Sequence, residues 1–142
     1  IQEIKNAITS GIPYLAECGG FMYLHEFMED MKGNTHSMLG ILKGTAYKLS
    51  KLVRFGYIEL KSNKTSVLGN EDLFCRGHEF HYFDSTSNGT DFVARKPLTN
   101  RSWECIHANE NGVAGFPHMY YYSNPQMIVD FLKNCERTDE GA

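Results

Sequence analysis

No apolar run in these 142 residues approaches the roughly 20 that a helix needs to cross a bilayer. Basic excess is also missing. Lys plus Arg number 14 against 17 Asp plus Glu, a formal net charge of −3, so neither a nucleic-acid backbone nor an acidic membrane surface is the expected partner, since both select a basic face. There is no C-x-x-C pair and no dense cysteine framework. Cys18, Cys75, Cys105 and Cys135 lie far apart, which argues against a disulfide scaffold and for a reducing, cytoplasmic setting. The opening Ile1-Gln2-Glu3-Ile4-Lys5 lacks an initiator Met, a basic region and an apolar signal core, so no targeting segment is expected. Internal repeats and low-complexity tracts are absent too. What remains is a chain 42% hydrophobic and 22% charged, enough for one folded domain that stands on its own core.

Ile1, Ile4 and Ile8 mark one face of a helix over residues 1–9, closed by Ser10-Gly11. Residues 12–16, Ile-Pro-Tyr-Leu-Ala, read as a buried strand with Pro13 tolerable only near its start. Phe21, Leu24, Phe27 and Met28 recur at helical spacing and predict a second helix running to about Met31, with a polar turn over residues 32–36. Between Leu39 and Leu60 the pattern shortens and alternates, most clearly over residues 54–60. Residues 75–82 and 91–94 predict further strands, and residues 103–108 and 113–116 a hairpin about the turn 109–112. Ser123-Asn124-Pro125 sets up a final helix with Met127, Ile128, Phe131 and Leu132 on its apolar face, and residues 139–142 read as a frayed tail. Helices at the ends with strands between imply α/β or α+β.

Chemistry is densest at Ala16-Glu17-Cys18-Gly19-Gly20, where a buried strand runs straight into a cysteine, two glycines and a helix. This is the pattern of a nucleophile elbow, whose tight turn needs small residues two positions to either side, here Ala16 and Gly20. The helix N-terminus beneath Cys18 favours thiolate, and the Gly19 N–H would face a developing oxyanion. The competing reading is a buried structural thiol. A cysteine nucleophile needs a base, and His118, just after the apolar strand 113–116 and Pro117, is the best placed of six histidines. A loop histidine beside Tyr120, Tyr121 and Tyr122 is the alternative. In Arg76-Gly77-His78-Glu79-Phe80-His81 two histidines flank a carboxylate, which suggests a metal at first sight. Strand periodicity opposes it: His78 and His81 fall on opposite faces, whereas Glu79 and His81 share one. A polar network or a contribution to a substrate pocket, with Arg76, Glu79 and His81 as candidates, fits better than a metal. His25 and His36 read as surface or boundary residues, His107 lies near a turn, and none of the three is given a role.

Ala16 to Leu24, Arg76 to His81 and Gly115 to Tyr120, with Arg54-Phe55-Gly56-Tyr57 between them, resemble the glutamine amidotransferase domain of cobyrinic acid a,c-diamide synthases, in the right order over nearly the whole chain. That resemblance implies a flavodoxin-like class I amidotransferase domain in which Cys18 attacks the glutamine side-chain amide with His118 as base and Gly19 as oxyanion donor. The ammonia would pass to a separate synthetase domain that uses ATP and Mg to amidate a corrin precursor; a close relative amidates a nickel tetrapyrrole. Two departures follow. Tyr120 stands where most class I amidotransferases carry an acid two residues after the base, leaving Glu79 as the candidate for orienting duty. The Gly-rich loop that supplies a second oxyanion N–H, and the family's first strands, have no counterpart here. Residues 1–142 therefore read as the C-terminal part of such a domain, truncated at its N-terminal side, with no cofactor of its own, weak or no glutaminase activity in isolation, and exposed sheet edges that invite self-association. A non-catalytic module of the same fold and a cysteine hydrolase of another substrate stand as the alternatives.

Overall fold

A computed structural model describes residues 1–139, so of the expected tail residues 140–142 lie outside the described residues. The elements are α1 (Gln2–Thr9), β1 (Tyr14–Glu17), α2 (Gly19–Tyr23), β2 (His25–Glu29), β3 (Thr35–Ser37), β4 (Leu42–Lys48), β5 (Arg54–Ser62), β6 (Phe74–His81), β7 (Phe83–Ser85), β8 (Phe92–Arg95), β9 (Ser102–Cys105), β10 (His107–Ala108), β11 (Gly112–Gly115), β12 (His118–Tyr120) and α3 (Gln126–Asp139). They build a mixed α/β domain in three sheets, ordered β1-β11-β10, β12-β6-β5-β8-β9 and β3-β2-β4-β7. The parallel pairings are β1 with β11 and β2 with β4.

The second helix is far shorter than its spacing predicts. Only Gly19–Tyr23 is helical, and His25–Glu29 is a strand paired on both sides. Phe21 and Leu24 are buried, but Phe27 is 42% exposed, so the apparent helical stripe joins two elements. The turn falls earlier than expected, at residues 30–34, where the Asp30 carboxylate accepts the backbone N–H groups of Lys32 and Asn34. The expected 103–116 hairpin also divides. Ile106 adopts φ 66, so β9 pairs with β8 while the two residues of β10 turn to β11.

Two cores result. The first gathers Ile58, Leu60, Cys75, Phe92, Ala94, Ile106 and Met127 between the five-stranded sheet and α3. At its edge Trp103, the chain's single tryptophan, packs beneath the guanidinium groups of Arg54 and Arg101, 5.1 and 5.7 Å from its ring centroid. The second core holds Ala16, Phe21, Leu24, Leu39, Ala114 and Phe116 under β1 and α2. Each fully buried Phe there stabilises by about 1.5–3 kcal/mol.

His25, expected near the surface, is fully buried. Its Nδ1–H donates to the Phe21 carbonyl at 2.9 Å, and Nε2 accepts from the Ser85 hydroxyl at 2.6 Å. Burial drives its pKa down, which keeps the ring neutral. Ser85→Ala strands that nitrogen in the core, and we expect it to cost about 1–3 kcal/mol in urea denaturation; an unchanged midpoint would show the nitrogen to be otherwise satisfied. His36, by contrast, is exposed and pairs with Asp30 at 3.0 Å.

Candidate active site

β1 and β11 run parallel with Glu17 opposite Gly115, and at the end of this pair the backbone N–H of Cys18 donates to the Gly115 carbonyl at 2.8 Å. Cys18 takes φ 49 and ψ −104 between β1 and α2, a conformation that costs a non-glycine residue of order 1–3 kcal/mol and is typical of functional turns. A Cβ on Gly20 would sit 3.6 Å from that of Ala16. The small pair therefore face one another, although at ordinary contact distance.

Half-buried Cys18 lines a cavity of about 570 Å³ together with Met22, Met31, Lys48, Phe80 and His81. Its thiol does not show the depressed pKa expected of a helix N-terminus. Burial pushes it above the ordinary value of 9.0, with the charges of Glu17 and Glu79 acting in the same direction and the Gly19 backbone N–H against them. Five helical residues are too few to outweigh desolvation. Cys75 and Cys105, in the core, are pushed up to about 12 chiefly by burial, and neither they nor Cys18 form a disulfide. Iodoacetamide is therefore expected to label Cys18 well ahead of Cys75 and Cys105. Because the raised thiol is protonated at neutral pH, its labelling rate should climb as pH rises through 9 and beyond, and Glu17→Gln should move that rise to lower pH. Peptide mapping by mass spectrometry reads both, and an earlier rise in the parent chain than in the variant would contradict the electrostatics.

His118 begins β12, opposite His78 of β6, on the outer face of the sheet. Its side chain is 48% exposed and its Nδ1 lies 3.7 Å from the Glu17 carboxylate. The other Glu17 oxygen accepts the Met119 backbone N–H at 3.2 Å and the Tyr121 hydroxyl at 2.6 Å, and burial with that bond pushes the Tyr121 phenol up. Glu17 thus ties the cysteine turn to the histidine strand across 101 residues of sequence. Among the described residues no hydrogen bond joins Cys18 to His118 directly. Sequence reasoning passed over Glu17, whose approach to His118 arises from the register of β1 on β11.

Gly77 forms the floor under His118: a Cβ there would come within 2.8 Å of the His118 carbonyl oxygen. Glu79 is fully buried, and neither of its oxygens has a hydrogen-bond partner. It faces His81 Nε2 at 3.9 Å. His81 donates from Nδ1 to the Phe83 carbonyl at 2.6 Å and stacks on Phe116 with centroids 4.0 Å apart. Glu79 therefore lies on the buried face of β6 with His81, and the carboxylate beside His118 Nδ1 is that of Glu17. Arg76 leaves the cysteine cavity altogether. It lines a separate outer cavity of about 640 Å³ with Tyr57, His78, His118 and Tyr120.

A cysteine on a strained strand-to-helix turn, a histidine just beyond the neighbouring parallel strand with a carboxylate 3.7 Å from its Nδ1 and a cavity beside the thiol are the parts from which a nucleophile elbow is built. Residues 1–125 match the CobB/CobQ-like glutamine amidotransferase domain, and the chain belongs to that family. Among curated relatives, the cobyrinate a,c-diamide synthase of Caldanaerobacter subterraneus subsp. tengcongensis is 35% identical over 137 residues, that of Clostridium acetobutylicum 35% over 139, and that of Fusobacterium nucleatum subsp. nucleatum 36% over 132. These alignments take in 95%, 95% and 90% of this chain but only 30%, 30% and 28% of the relatives. Among the described residues no helix is long and apolar enough to cross a membrane.

Proposed function

We propose that this domain hydrolyses glutamine to supply ammonia for amidation by a cobyrinate a,c-diamide synthase of the cytoplasm. The observation that carries the reading is the strained Cys18 turn linked through Glu17 to His118, in a chain whose family is glutamine amidotransferase. The Glu17 carboxylate, 3.7 Å from Nδ1, favours a proton there, leaving Nε2 to take the thiol proton, and this compensates for a thiol that burial holds protonated. The thiolate adds to the carboxamide carbon and the Gly19 N–H stabilises the oxyanion. The C–N bond then breaks, the leaving nitrogen takes the proton back from His118 and departs as ammonia, and water cleaves the thioester to release glutamate and the free thiol.

The flavodoxin-like core is completed, in this reading, by strands and an oxyanion loop on the open side of β1. The ammonia goes to an ATP- and Mg-dependent synthetase unit outside these residues, whose acceptor is a tetrapyrrole carboxylate. The relatives' names favour cobyrinate over a nickel tetrapyrrole.

Acid quenching of the full chain during turnover of isotopically labelled glutamine tests this. A glutamyl thioester mapped to Cys18 is the expected result. Glutamate production with no label at Cys18 would overturn it.

A further inference from the structure

From the cavity that holds Cys18 we infer that Lys48 is the specificity residue that grips the α-carboxylate of glutamine; the inference rests on the glutaminase reading above. With the carboxamide at Cys18, the far end of the substrate carries a carboxylate, and a carboxylate entering a largely apolar cavity needs a cation. Two residues that line the cavity can supply one, Lys48 and His81. His81 is committed, with Nδ1 on the Phe83 carbonyl, its ring stacked on Phe116 and Nε2 turned to the buried Glu79. The Lys48 ammonium has only a long 3.5 Å contact to the Met31 carbonyl, and no ion pair among the described residues includes it.

The backbone of Lys48, unlike its head, is fixed. Its N–H donates to the Glu29 carboxylate at 3.1 Å, and it pairs in register with Phe83, another residue of the cavity wall. A cation on a long stem is thereby anchored in the wall of the cavity that Cys18 also lines. Arg76, the cation that motif reading favours for the substrate pocket, lines the outer cavity instead. Recognition of the amino-acid end therefore passes to a residue outside every motif in the sequence.

The test uses 6-diazo-5-oxo-L-norleucine, a glutamine-shaped electrophile that keeps the α-carboxylate, on the full chain, with Cys18 labelling quantified by mass spectrometry. Rates are normalised to iodoacetamide, which has no amino-acid end and reports the thiol's own reactivity. For Lys48→Met the half-saturating probe concentration should rise by at least about tenfold, the smaller effect expected of a charge-assisted hydrogen bond, with the limiting rate nearly unchanged. Lys48→Arg should recover most of the loss. Half-saturation of Lys48→Met equal to that of the parent chain would overturn the Lys48 assignment and leave the glutaminase reading standing. A parent chain that reacts with iodoacetamide at Cys18 but never saturates with the diazo-ketone would overturn both.

Discussion

Cys18→Ala is expected to bring glutamine hydrolysis by the full chain down to background while leaving the fold intact. Removing the nucleophile of a comparable serine hydrolase costs on the order of 10⁶ in turnover, and neither core thiol can substitute here, because Cys75 and Cys105 are buried and pushed up to about 12. The substitution should be structurally mild. Cys18 is only half-buried, its backbone bond to Gly115 is kept, and its side chain borders a cavity. Amidation driven by added ammonium salts should survive in the full-length protein, since the acceptor chemistry does not pass through Cys18. Glutamate release by Cys18→Ala at the parent rate would show that hydrolysis occurs elsewhere; loss of the ammonia-driven reaction as well would point to misfolding.

The largest structural effect is expected at Gly89. Gly89 and Gly33 share φ +83, yet a Cβ on Gly33 meets nothing within 4 Å, while one on Gly89 would collide with the Ile106 carbonyl and come within 2.6 Å of the His107 nitrogen. Alanine at either site pays for a left-handed backbone, about 1–2 kcal/mol. At Gly89 it must also displace the backbone at the junction of β9 and β10, where overpacking adds about 1–3 kcal/mol. Gly89→Ala should thus lose about 2–5 kcal/mol in urea denaturation and Gly33→Ala the smaller part alone, against a typical stability of about 5–15 kcal/mol. Equal losses at the two positions would mean that the Ile106 segment yields without cost.

Much of the site was legible because it is local. Ala16 to Gly20 states a strand, a turn and a helix within five residues, and Arg76 to His81 alternates across a strand whose inner and outer faces the structure keeps apart. Glu17 and Lys48 were not legible. The first acquires its partner from the register of β1 on β11, and the second becomes a cavity residue only because β4 pairs with β7; neither pairing leaves a periodic trace. The β2 strand was misread for a related reason. Phe21 and Leu24 answer to the second core and Phe27 to strand pairing, so apolar positions in two different elements happened to fall at helical intervals. The split at Ile106 rests on a single left-handed residue of a type that rarely adopts that conformation, which no pattern announces.

Trp103 stands at the rim of one core, and the cysteine turn rests on the other. Tryptophan fluorescence from this chain consequently reports a single location: the β8–β9 ladder and the two guanidinium groups stacked on the indole. During a denaturant titration, emission therefore follows the larger core, whereas the thiol's accessibility follows the smaller. If the two signals shift together the halves melt as one cooperative unit; if the thiol opens first, the cysteine turn is the part that lets go earliest.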